Sequence, residues 1–174
     1  MNVGPDSGLD DAPIFLVGFM GAGKTTVGRA LARHLEYAFF DLDELISARA
    51  GKSVQEIFGD LGEAEFRSLE SAAIDTCRHM MRSVVALGGG AYVSEQNRAT
   101  LRAIGKTVWL DCPIEICLKR ISGDKSRPLL GDEDDMRPLL AGRRAAYAQA
   151  DYAVQAGELS PGELAIEITA MLSK

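Results

Sequence analysis

The stretch Gly18-Phe19-Met20-Gly21-Ala22-Gly23-Lys24-Thr25 sets glycines, a lysine and a hydroxyl at the spacing G-x-x-x-x-G-K-[ST]. Small residues at these positions let backbone N–H groups curl round a phosphate at the start of a helix. Gly21, Ala22, Gly23, Lys24, Thr25 and Thr26 are therefore candidate nucleotide-binding residues. Lys24 would reach the outer phosphates, and the Thr25 hydroxyl would be a ligand of Mg2+. The flanks suit this chemistry: an apolar run, Ile14-Phe15-Leu16-Val17, precedes the loop, and Val27, Ala30, Leu31 and Leu35 recur after it at helical spacing. Strand, loop and helix in that order imply a bound nucleoside triphosphate. A glycine turn before an ordinary amphipathic helix is the plainer alternative, and it would not require all four fixed positions.

More chemistry lies at Asp41-Leu42-Asp43, closing a short strand predicted over residues 37–41. Side chains two apart on a strand share a face, so both carboxylates look towards one site if extended geometry continues through Leu42. One could order the water shell of Mg2+ while the other accepts a hydrogen bond from an attacking hydroxyl. Equally, Asp43 could cap a helix beginning at Glu44. Arg67 and Glu70 stand three apart in a helix expected to run to about Met81, close enough for the carboxylate to steady the guanidinium, although a surface ion pair is the usual meaning of that spacing. Gly88-Gly89-Gly90 follow a strand predicted over 84–87, which suggests either a close backbone approach or a flexible turn. Asp111 ends a further strand, 107–111, and is a second magnesium candidate behind Asp41, or a cap for the helix near Pro113. The polar, charged segment 122–135 reads as a surface loop, or as a lid that brings Arg127 to the charge developing during transfer.

The elements that must hold these groups are apolar strands alternating with helical segments, which give an α/β domain with a parallel sheet covered on both faces. At 174 residues, 47% hydrophobic and 25% charged, the chain is one ordinary globular domain, and no linker or repeat divides it. Residues 1–12 lack a signal peptide's basic region and apolar core and read as a disordered lead-in to a domain over 13–174. No apolar stretch approaches 18 residues, so no membrane span is expected. Three cysteines without C-x-x-C argue against a disulfide framework and a zinc site, and point to a reducing cytoplasm. A net charge of −6 disfavours nucleic-acid binding and requires basic groups to be gathered locally if the ligands are anions. The expected state is a monomer. Trp109 reads as a sheet-packing residue, and His34 and His79 as surface or packing residues.

Taken together, these residues make the chain resemble the shikimate kinases. The likeness is carried by the Gly18 to Thr25 loop, Asp41-Leu42-Asp43, Ile57-Phe58, Gly62-Glu63 with Phe66-Arg67 and Glu70, the three glycines and Arg127-Pro128-Leu129-Leu130, and it covers residue 13 to the C-terminus. It implies a three-layer P-loop domain of the nucleoside-monophosphate-kinase type, with a five-stranded parallel sheet flanked by helices, a shikimate-binding part over about 43–70 and a mobile lid over about 122–135. The implied reaction passes the γ-phosphate of Mg2+-ATP to the 3-hydroxyl of shikimate, on the route to aromatic amino acids. By the same resemblance Asp41 would hold the Mg2+ water shell, and Asp43, Lys24 and Arg127 would be catalytic. Phe58, Phe66, Arg67, Gly88, Gly89, Gly90 and Arg143 would bind shikimate beside Asp43, with Glu70 orienting Arg67. Arg120 and Pro161 would lie near the adenine. Arg143 has the family's spacing of four before Tyr147 and Arg144 does not, while Ala145-Ala146 depart from the family's usual Pro-Leu there. The rival expectations are a kinase of the same architecture acting on another hydroxy acid, such as gluconate, or on a nucleoside monophosphate, and a nucleotide-dependent switch. The switch lacks the Asn-Lys-x-Asp sequence that selects guanine.

Overall fold

A computed structural model describes residues 11–122 and 133–174. Five strands, β1 (Ile14–Val17), β2 (Ala38–Asp41), β3 (Ser83–Ala86), β4 (Lys106–Asp111) and β5 (Tyr152–Gln155), pair in parallel in the order β2-β3-β1-β4-β5. A parallel sheet has no solvent face, and accordingly β1 and β3 are buried at every residue. In register, Leu16 faces Ala86 and Val108, and Asp41 faces Ala86, so the segments leaving β1, β2, β3 and β4 emerge at one edge. β3 and β4 lie on opposite sides of β1, and the crossover between them opens a crevice beyond the carboxyl end of the central strand.

Seven helices among the described residues cover the sheet: α1 (Lys24–Leu35), α2 (Leu42–Ala50), α3 (Val54–Thr76), α4 (Glu95–Ile104), α5 (Ile114–Ser122), α6 (Glu133–Tyr147) and α7 (Pro161–Leu172). Their starts are written locally. Ser53 with Glu56 and Ser160 with Glu163 form reciprocal capping boxes, and Ser94 caps α4. Between β1 and α1, Phe15, Leu16 and Leu31 have no exposed surface, and each such side chain contributes about 1.5–3 kcal/mol by leaving water. α7 packs along α1 and completes that layer.

Several boundaries differ from the sequence expectation. Extended backbone does not continue through Leu42: the helix begins there, two residues before Glu44, and its cap is Asp41 rather than Asp43. The cause is local, since the Asp41 carboxylate accepts from the Asp43 amide at 3.0 Å while Leu42 is drawn wholly into the core. The helix expected to reach Met81 ends at Thr76 and passes into a short 3-10 turn, Cys77–His79. Asp11, within the expected lead-in, accepts from the Arg82 amide at 2.7 Å. Residues 1–10, and the expected lid with Arg127 apart from its ends, lie outside the described residues. Trp109 is buried, His34 and His79 are exposed, and no described helix is long and apolar enough to cross a membrane.

One feature of α3 bears on the cleft directly. At Gly62 the backbone leaves helical geometry (φ 84°, ψ 173°), so the segment bearing Val54 and Phe58 meets the segment bearing Phe66, Arg67 and Glu70 at a kink. A Cβ at Gly62 meets no atom within 4 Å, so the demand for glycine is one of backbone conformation alone. Gly62→Ala should therefore cost about 1–3 kcal/mol in urea unfolding. Gly59→Ala, three residues earlier at a helical position with equal space, should gain about 0.5–1 kcal/mol. The same sign for both substitutions would mean that the kink stores no backbone strain.

Candidate active site

A cleft of about 510 Å3 opens at the carboxyl edge of the sheet, bounded by the glycine loop, the start of α2, both segments of α3, the triple glycine and α6. At one end the loop turns on Gly21 (φ 76°) and Gly23 (φ 98°), left-handed conformations that a side chain would strain. Among the described residues no side chain caps α1, so the amides of its first turn and the positive end of its dipole remain available to an anion. Lys24 arches back and donates from Nζ to the carbonyls of Gly18 and Phe19 at 2.8 and 2.9 Å. The Thr25 hydroxyl donates to Asp41 Oδ2 at 3.0 Å, so a hydroxyl and a carboxylate face each other beside the loop. Arg120, on the last turn of α5, lies across the loop and donates to the carbonyls of Gly21 and Ala22 at 3.2 and 3.3 Å.

The other end of the cleft is built round two arginines and two carboxylates. Arg67 donates to both oxygens of Glu70 at 3.1 and 2.9 Å and reaches Glu63 at 3.4 Å. Glu70 is almost wholly buried, and burial drives its carboxyl above the ordinary range; Arg67 and Arg143 pull it down, while the nearby Asp43 charge adds to the rise. Burial also opposes the charge on Arg67, but Glu70 and then Glu63 outweigh it and hold the guanidinium above its usual value. Packing explains the glycines. A Cβ on Gly90 would stand 2.6 Å from Arg67 Nη2, and one on Gly88 would stand 3.0 Å from Asp43 Oδ1 and 3.3 Å from Glu70 Oε1. Tyr147 donates its hydroxyl to the Gly89 carbonyl, and burial pushes that phenol up to about 12. Phe58 and Phe66, with ring centroids 4.5 Å apart, wall this end, and Arg143 lies 6.0 Å from the centroid of the Phe19 ring.

Of the residues singled out in the sequence, Gly21, Gly23, Lys24, Thr25, Thr26, Asp41, Asp43, Phe58, Phe66, Arg67, the three glycines, Arg120 and Arg143 all line this one cleft. Ala22 is buried under the loop, and Pro161 is exposed at the first position of α7, outside the lining. Asp111, the weaker magnesium candidate, is not among the residues that line the cleft: both its oxygens accept from Arg144, each at 3.0 Å, and Gln155 donates to it as well. Met20, Val54, Leu87, Ile121 and Met136 also line the cleft and had not been singled out. Val54 had a signal, standing four residues before Phe58 on one helix face. Met136 and Ile121 had none, because residues that look like plain core become lining only when α5 and α6 converge. Among the described residues no group of three or more His, Cys, Asp or Glu side chains could hold a metal.

The family model described as shikimate kinase matches residues 20–173. A shikimate kinase of Geobacter sulfurreducens is 43% identical over 162 residues, spanning 91% of this chain and 90% of its own length. One of Microcystis aeruginosa is 44% identical over 149 residues, 84% of this chain and 78% of the relative. Among solved structures, the shikimate kinase from Acinetobacter baumannii in complex with shikimate matches with a TM-score of 0.87 at 38% identity, over 92% of both chains. A gluconokinase from Sinorhizobium meliloti matches with a TM-score of 0.62 at 18% identity, over 95% of this chain and 93% of its own, a likeness of fold alone.

The buried glutamate has a thermodynamic signature. An unfolded glutamate titrates near about 4.3, and the folded Glu70 titrates higher, so between the two values the folded state holds the extra proton and stability falls as pH rises. Subtracting the urea-unfolding free energies of Glu70→Gln from those of the wild type between about pH 4 and pH 7 should leave a difference that falls as pH rises. Equal slopes would put Glu70 back in the ordinary carboxylate range.

Proposed function

The chain belongs to the shikimate kinase family, and on that footing we propose that it transfers the γ-phosphate of ATP to the 3-hydroxyl of shikimate with Asp43, Lys24 and Arg127 as catalytic residues. The family activity is that of an ATP-dependent phosphotransferase in the shikimate pathway. What most supports the division of labour is that the phosphate loop and the pair Arg67 and Arg143 line one cleft, with Asp43 between them in the chain and in the same lining.

Thr25 and Asp41 fit a magnesium ion. Both are hard oxygen donors, they already face each other at 3.0 Å, and an ion that keeps several waters while sharing phosphate oxygens needs no larger protein cage. Bound there, Mg2+ would neutralise charge on the β- and γ-phosphates. The protein's own part is to bind and to position. Amides of the loop and of the first turn of α1 take the phosphates, and Lys24 exchanges the carbonyls of Gly18 and Phe19 for the outer phosphate oxygens. Arg67, steadied by Glu70, and Arg143 take the acceptor carboxylate, each able to donate a fork of hydrogen bonds. Phe58 and Phe66 enclose the ring, and the backbone at Gly89 and Gly90 offers contacts that side chains would block. Asp43 accepts the hydrogen bond of the reacting hydroxyl and takes its proton as the hydroxyl oxygen bonds to the γ-phosphorus and the β–γ bridging oxygen departs with ADP. A loose transition state asks little more, so alignment and charge neutralisation provide most of the rate.

ADP release from Mg2+-ATP, measured with shikimate, gluconate, quinate and AMP as separate acceptors, tests the assignment. Shikimate alone should stimulate strongly. Asp43→Asn should lower kcat more than about tenfold while leaving the Kd for ATP within about twofold. Turnover with gluconate or AMP instead would overturn the acceptor, and near-normal kcat in Asp43→Asn would remove that carboxylate from the chemistry.

A further inference from the structure

Arg144, adjacent to Arg143 on α6, has no place in the cleft lining, yet it makes a two-point ion pair with a carboxylate of the sheet. Its two terminal nitrogens donate in parallel to the two oxygens of Asp111, both at 3.0 Å, and its guanidinium lies 5.0 Å from the centroid of the Trp109 ring. Asp111 and Trp109 both belong to β4. The Asp111 side chain is only 15% exposed, and Gln155 of β5 donates to it at 3.2 Å, so the carboxylate is itself fixed from the sheet. One turn further on, Tyr147 packs 6.2 Å from Trp109 and donates to the Gly89 carbonyl. The last turn of α6 is thus fastened to the end of β4 on one side and to the triple glycine on the other.

Adjacent residues of a helix project about 100° apart, so a fastening at Arg144 fixes the rotation of the helix and with it the direction in which Arg143 leaves it. Arg143 Nη1 stands 3.4 Å from where a Cβ on Gly89 would lie, a reach that a small turn of the helix would change. A fork-to-fork pair stacked on an indole restrains orientation in a way that a single-point contact does not. α6 is also held by buried Met136, Leu140 and Tyr147 and by an exposed pair between Arg137 and Glu115, so its presence on the sheet does not depend on Arg144. We propose that the Asp111–Arg144 pair, stacked on Trp109, is a positioning clamp that aims Arg143 at the acceptor carboxylate and thereby sets selectivity for a carboxylate-bearing acceptor. This rests on the reading of Arg143 given under the proposed function.

The test compares Arg144→Ala and Asp111→Asn with the wild type, using shikimate and its uncharged carboxamide as acceptors. Each substitution should raise the KM for shikimate about three- to tenfold, with kcat and the KM for ATP within about twofold. The KM for the carboxamide should not move, and Arg144→Ala added to Arg143→Ala should cost less than about a further twofold. An unchanged shikimate KM in Arg144→Ala, or an equal loss with the carboxamide, would overturn the clamp. Arg143→Ala serves as the separate control: if it leaves the shikimate KM unchanged, Arg143 is not the carboxylate ligand, and the underlying reading falls along with the clamp.

Discussion

Two anions, a nucleotide and a carboxylate-bearing acceptor, must be brought together in a chain of net charge −6, and this electrostatic requirement governs the arrangement of the cleft. Positive potential therefore has to be local. Lys24, Arg67, Arg120 and Arg143 line the cleft, and the uncapped end of α1 faces it. Carboxylates in and near the cleft are tied down at three positions. Asp41 is held by Thr25 and the Asp43 amide, Glu70 by Arg67, and Asp111 by Arg144. Tying a carboxylate matters as much as placing an arginine, because an unpaired negative charge beside the cleft would repel both ligands at once.

The parallel sheet converts this requirement into geometry. Phosphate loop, paired aspartates and triple glycine leave the carboxyl ends of β1, β2 and β3, three neighbouring strands, so they converge without long connections. α3 and α6 then bring the arginines over the same edge from either side, one through a helix broken at Gly62 and the other through a helix fastened to Trp109 and Gly89. At Gly90, where the Arg67 guanidinium lies against the chain, there is no room for a methyl group.

Much of this was legible in the residues. The buried strands read as apolar runs because both their faces are covered, and the phosphate loop announces itself through four fixed positions. The likeness to the shikimate kinases then directed attention to Arg67, Arg143 and the glycines, which the cleft brings together. Local readings stopped short where tertiary packing decided the outcome. Asp41 and Asp43 are equally good caps by type, and the choice fell to the burial of Leu42. The ion pair of Asp111 was not legible because its partner Arg144 stands 33 residues away, too far for any spacing rule to connect them. Met136 and Ile121 look like core in any window, and only the convergence of α5 and α6 turns them towards the cleft.

At Asp41 a single side chain performs two tasks. One oxygen caps the helix that carries Asp43, and the other meets the Thr25 hydroxyl. On the proposed reading, in which Asp41 also serves Mg2+, helix capping and ligation therefore meet in one carboxylate. Asparagine would preserve the cap and lose the charge, whereas glutamate would keep the charge on a stem too long for the cap. The two substitutions therefore separate the tasks, one sparing the start of α2 and the other the negative charge beside Thr25.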